Sequence, residues 1–298
     1  MHVLMALTLT TLPGCICSAP SYDDLPVLAS VEWEEPCARI PYVEPGPSAG
    51  ISGMAMVQFQ GGIILAGGFI PGGDEEGART SRWVHRYDPE TGQWQRLGMM
   101  PIRREYVRGM ATGDAVYIVG GACQHPGEDP KYRPHADCLK LIPDADSLQI
   151  ETCGELSVPR SHMAVGAAGP YLVVAGGNEY DLAEGGYSEN TLRGTTDVFD
   201  TRRPEAGWRA ASPIPGAPRG WTASAALDGL LYVFGGLTMQ DGQWRSLSEA
   251  LAYDPAADEW TRLPDTPYDV AGWEATVWRD RYIILVGGVS RSGGPERI

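Results

Sequence analysis

Three arginines, Arg104, Arg160 and Arg219, recur at separations of 56 and 59 residues, each two positions ahead of a ring-bearing residue: Tyr106, His162 and Trp221. A further tryptophan, Trp273, takes the matching place in the next copy of the pattern. Guanidinium groups converging in a cleft can fork onto a carboxylate or onto sugar hydroxyls. Aromatic faces suit the apolar face of a sugar ring, and Arg and Trp beside loops are typical binding residues. A fold that brought these residues onto one circle would hold an acidic sugar in a protein that is itself acidic. The same arginines read equally well as internal ties between repeated units, and both readings stay open at this stage.

The pattern belongs to a larger one. Glycine doublets fall at Gly67-Gly68, Gly120-Gly121, Gly176-Gly177, Gly235-Gly236 and Gly287-Gly288, spaced by 53, 56, 59 and 52 residues. That period suits a propeller rather than a helical solenoid. Each doublet follows an apolar segment, a tight turn rich in Gly and Asp, and a second apolar segment, which reads as a two-stranded hairpin. A variable polar loop comes next, then a strand carrying Tyr87, Phe199 or Tyr253, and then a strand carrying Trp94, Trp208 or Trp260. The second repeat departs from this, with Leu141 where the Tyr belongs and Ile150 near the place of the Trp; its blade is expected to exist but to pack differently, pinned by Cys153.

Doublet, tyrosine and tryptophan in this order resemble the kelch repeat over nearly the whole of residues 48–298. The resemblance implies an all-β protein, a kelch β-propeller of four-stranded blades. Five repeats are visible, and the last stops where its third strand should begin. Two versions remain open: a five-bladed ring closed by an N-terminal strand around Trp33, or a six-bladed ring whose C-terminal part is missing. The second is favoured, because "SRSGGPERI" reads as an interrupted loop. The turns on one face are short, whereas the loops after the doublets are long and polar. Binding is therefore expected on the latter face.

The longest such loop, "NEYDLAEGGYSENTLRG", is bracketed by Glu179 and Arg193. This stretch is similar to the sialic-acid mutarotases, the N-acetylneuraminate epimerases, a family of exported kelch propellers. The resemblance implies a catalytic base at Glu179 and a substrate-binding arginine at Arg193, ahead of the "TD" pair. Mutarotation needs one group to take the anomeric hydroxyl proton and another to protonate the ring oxygen; a neighbouring Arg, His162 or Tyr106 could serve beside Glu179. Read from the residues alone, Glu179 is equally a solvated loop carboxylate. The competing class is a non-enzymatic scaffold that uses the same loops to hold a protein or a glycan.

Composition sets the outer limits. The 298 residues include 38 Gly and 24 Pro with 43% hydrophobic residues, which suits many short strands joined by turns. A net charge of −15 argues against nucleic acid or anionic lipid as the main partner. Residues 1–19 read as a signal peptide or lipoprotein leader, with an apolar segment too short to span a bilayer. "LPGC" would make Cys15 the lipidated first residue, so a lipid anchor is the one membrane contact expected; cleavage after Ala19 is the alternative. Either places the protein outside the cytoplasm, as a periplasmic or outer-membrane-associated lipoprotein or a secreted protein. Residues 20–47 would be a linker and the closing strand. In an oxidising compartment the expected disulfide joins Cys123 to Cys138, whose loop also carries His125 and His135. Zinc held by those four residues is the less favoured reading. No metal and no cofactor are expected.

Overall fold

The computed structural model describes residues 5–8 and 50–291, apart from 75, 125–131, 145–146 and 181–185. Cys15, Cys37, Trp33 and His125 lie outside the described residues. Four antiparallel four-stranded sheets follow one another along the chain. The first runs through Ala55–Phe59, Gly62–Ala66, Trp83–Asp88 and Gln93–Met99. The second runs through Arg108–Thr112, Ala115–Val119, Asp137–Pro143 and Leu148–Glu155. The third and fourth repeat the order with Ala164–Ala168 and Ala223–Leu227 as their innermost strands. A fifth hairpin, Ala271–Trp278 with Tyr282–Val289, carries Met5–Thr8 along its edge, where the other sheets have their third strand. No helix of the described residues is long and apolar enough to cross a membrane.

In the first four sheets the second strand is buried on both faces along nearly its whole length, so the cores lie between blades rather than within them. One cluster joins Val57, Phe59 and Ile64 of the first blade to Val116, Ile118 and Leu139 of the second. Three further clusters join second to third, third to fourth and fourth to fifth in the same way. Arg108 on the inner strand of the second blade is 2.8 Å from Glu274 on the inner strand of the fifth. Inner strands that far apart in the chain therefore meet around a common axis, as a propeller requires.

The aromatic pairs fill the outer wedge. Tyr87 stands opposite Trp94, Phe199 opposite Trp208 and Tyr253 opposite Trp260, with ring centroids 5.1, 5.4 and 4.8 Å apart. The second blade is complete without such a pair. Leu141 faces Ile150 across the same two strands, and a disulfide joins Cys138 to Cys153. That bridge corrects the expected Cys123–Cys138 pairing. Cys138 and Cys153 lie on adjacent strands, with Cα atoms 5.1 Å apart beside a break in register. Cys123 belongs to a separate small hairpin, Ala122–Gln124 with Tyr132–Pro134, where it is buried 3.2 Å from Nε2 of His135. The four-residue zinc set is broken by the bridge. Among the described residues no three potential ligands gather for a metal.

The glycine doublet has a direct physical cause. The first glycine is left-handed, with φ of 68°, 55°, 65° and 54° in the first four blades. A Cβ there would stand 2.5, 2.4, 2.6 and 2.3 Å from the carbonyl oxygen of Arg104, Arg160, Arg219 or Val270, each in the following blade. The second glycine donates its N–H to that same oxygen, at 2.7 to 2.9 Å. Blade-to-blade contact is thus made by bare backbone, and any side chain would force the blades apart.

Candidate functional site

Arg104, Arg160 and Arg219 do not line a cleft. All three are buried and spent inside the protein. Arg104 donates to the Gly120 carbonyl at 3.0 Å and pairs with Asp137. Arg160 donates to Gly176 and Thr195 carbonyls and pairs with Asp197, which also accepts from Ser157. Arg219 reaches the Ala217 and Pro215 carbonyls and pairs with Glu249 at 2.9 Å. Each arginine offers its backbone carbonyl to one blade and its guanidinium to a carboxylate on the third strand of the next, or one residue ahead of it in the case of Glu249. The expected ligand role is corrected accordingly: these arginines tie blades. Burial lowers the pKa of Arg160 to about 10 against the opposing pull of Asp197, and burial likewise lowers that of Arg219.

The ring-bearing residues do form a row. Tyr106 stacks on His162 with centroids 4.3 Å apart, and His162 meets Trp221 at 4.3 Å. All three have positive φ, near 50°, 55° and 52°. A non-glycine residue in this region costs about 1–2 kcal/mol, and such outliers gather at functional sites. Backbone hydrogen bonds hold the row: Trp221 donates to the His162 carbonyl at 2.9 Å and Gly272 to the Trp221 carbonyl at 2.8 Å. Trp273 is not a member. It is buried between the fourth and fifth blades, and its indole N–H donates to the Phe234 carbonyl. The fifth hairpin turns through three residues, Arg279 to Arg281, where the others use two. The count back from its doublet therefore slips by one, and Gly272, with φ of 66°, occupies the equivalent place.

Residues absent from the sequence-level inventory complete the cluster. Tyr132 comes from the small hairpin of the second blade, and Trp244 from the hairpin Leu237–Gln240 with Gln243–Ser246 in the fourth. Tyr180 and Tyr187 come from the long loop of the third. Tyr187 meets His162 at 5.8 Å, Trp221 at 5.4 Å and Tyr180 at 5.4 Å, each edge to face. Its hydroxyl donates to that of Tyr132 at 3.3 Å. Burial raises the phenol pKa of both, so they stay neutral hydrogen-bonding groups. His162 accepts or donates at Nδ1 to Ser161 Oγ, 2.8 Å away. Burial and then the charge of Arg108 depress its pKa to about 3. Tyr132 and Trp244 lie on short hairpin strands and Tyr180 and Tyr187 on a loop, so no shared register in the sequence marks the four.

Glu179 and Arg193 come together as an ion pair, each about a quarter exposed. The Glu179 N–H donates to the Thr191 carbonyl, and Arg193 also donates to the Asn190 carbonyl at 2.7 Å. The loop therefore closes back on itself, with Tyr180, beside Glu179, placed against Tyr132 at 4.7 Å. A carboxylate and a guanidinium thus stand next to Tyr180, at one edge of the aromatic cluster.

Comparison with known proteins bears on the fold and the family resemblance. The family model described as Kelch motif matches residues 51–101, and that described as N-acetylneuraminate epimerase matches residues 193–292. A protein named N-acetylneuraminate epimerase from Yersinia enterocolitica is 36% identical over 98 residues, 32% of this chain and 25% of that protein. Kelch-like protein terF from Aspergillus terreus is 27% identical over 207 residues, 68% of this chain and 42% of that protein. The solved structure of YjhT superposes with a TM-score of 0.63 at 13% identity, covering 84% of each chain. The chain spans less than half the length of these two sequence relatives. It is a kelch-repeat β-propeller. Within that class it resembles the N-acetylneuraminate epimerases.

Proposed function

We propose that this protein binds an acidic sugar at its loop-rich face and exchanges its anomers, as a mutarotase of the sialic-acid type. The observation that carries the reading is the Glu179–Arg193 pair, formed by two residues fourteen positions apart at the ends of the longest loop. The likeness of residues 193–292 to the epimerase family supports it. In the resting protein Arg193 neutralises Glu179. Hydroxyl oxygens of the substrate compete for that guanidinium and release Glu179 to take the anomeric hydroxyl proton, while a neutral phenol donates to the ring oxygen. The protein is exported, with residues 1–19 as its leader.

Saturation-transfer NMR with N-acetylneuraminic acid, followed by anomer-exchange rates, tests the reading. Glu179→Gln should bind but lower the exchange rate on the order of 100-fold, the usual weight of a general base. Binding with unchanged exchange would make the protein a lectin-like module. No binding by the wild type would favour the protein-interaction scaffold.

A further inference from the structure

The aromatic row fills three of five equivalent places, with Gly53 in the first blade and Gly272 in the fifth. Tyr106, His162 and Trp221 occupy equivalent places in three successive blades, and the next place is Gly272. A Cβ on Gly272 would meet nothing within 4 Å. The missing side chain opens a cavity of about 290 Å³ between the fourth and fifth blades, lined by Tyr187, Trp221, Leu237, Trp244, Gly272 and Arg291. Trp221 meets Trp244 at 5.4 Å and 89°, and Tyr187 at 5.4 Å and 81°, so both rings stand edge to face with Trp221. One charged residue lines it: Arg291, exposed, with its backbone N–H anchored on Ser246 Oγ at 2.9 Å.

We propose that a ligand ring takes the vacant place at Gly272, lying against Trp221 with its carboxylate on Arg291. The inference rests on the acidic-sugar reading given above and adds the subsite. A pyranose has the apolar face that Trp221 and Trp244 can cover, and its carboxylate is the group a guanidinium forks onto. The cavity sits at the lower end of small-ligand sites, which suits one sugar ring rather than a longer glycan. Arg291 then does what the three buried arginines cannot.

The row supplies its own test. Because aromatic residues already stand at positive φ in three blades, Gly272→Trp fills that place without a new backbone conformation. It should leave the melting temperature near that of the wild type and weaken N-acetylneuraminic acid at least tenfold by calorimetry. Arg291→Gln should weaken the acid about tenfold and leave the affinity for its methyl ester unchanged. Should Gly272→Trp not fold, Trp244→Ala provides the same readout. Undiminished binding in Gly272→Trp and Arg291→Gln overturns the subsite, as does tighter binding of 4-hydroxyphenylacetate than of the sugar acid. Absence of any binding by the wild type overturns it too. Loss of binding in Gly272→Trp, from a wild type that binds without exchanging anomers, would keep the subsite and remove the mutarotase reading. Anomer exchange that survives Gly272→Trp would do the reverse.

Discussion

His162 shows what a side chain gives up to stand in the row. Unfolded, its imidazole takes a proton near pH 6.5; folded, only near about 3, because burial and then Arg108 oppose the charge. Between those values the unfolded chain binds one more proton than the folded one. Stability is therefore complete above pH 6.5 and falls as the pH drops toward 3, by about 1 kcal/mol per pH unit from this residue. Urea unfolding between pH 6.5 and 4.5 should show that slope, and His162→Asn, which tolerates positive φ and does not titrate, should flatten it. Equal slopes in the two proteins would mean that the imidazole is protonated in the fold. Tyr106, His162 and Trp221 were legible as a register in the sequence; that all three are left-handed was not, since φ leaves no mark on residue type unless glycine stands there.

The blade is the unit at which the arginines act. Arg160 links the Gly121 N–H of the second blade, through its carbonyl, to Asp197 of the third, through its guanidinium. Removing one partner of a buried pair leaves the other charge uncompensated, at a cost of about 3–5 kcal/mol. Arg160→Ala should lose stability on that scale in denaturant titrations, and Asp197→Asn less, since Ser157 still bonds to that side chain. A stable Arg160→Ala variant that lost sugar affinity would return the arginine to the binding site. Spacing marked these residues as equivalent without telling a channel-facing guanidinium from a blade tie. The difference lay in Asp137, Asp197 and Glu249, which stand 33, 37 and 30 positions further along the chain.

For the whole molecule the ends matter most. Met5–Thr8 runs beside Tyr282–Leu285, yet the same residues form the apolar segment of the export leader we propose. Leader removal would leave Tyr282–Val289 without that neighbour. Mass spectrometry of the protein made in its host should find a lipid-modified Cys15 or a chain starting at Pro20. A chain beginning at Met1 would overturn export and leave the added strand in place.

The repeated hairpins, the doublets and the Tyr–Trp pairs determined the propeller, because those features depend on local turn chemistry and on packing that recurs every 52 to 59 residues. The tertiary structure alone decided the partners that cross between strands and loops. Cys138 chose Cys153 over Cys123 because strand pairing, not loop proximity, set the 5.1 Å separation. One extra residue in the last turn moved Trp273 into the core and put Gly272 in the row, opening the cavity. Counting along a chain finds equivalent residues; which of them face one another depends on how the strands pair.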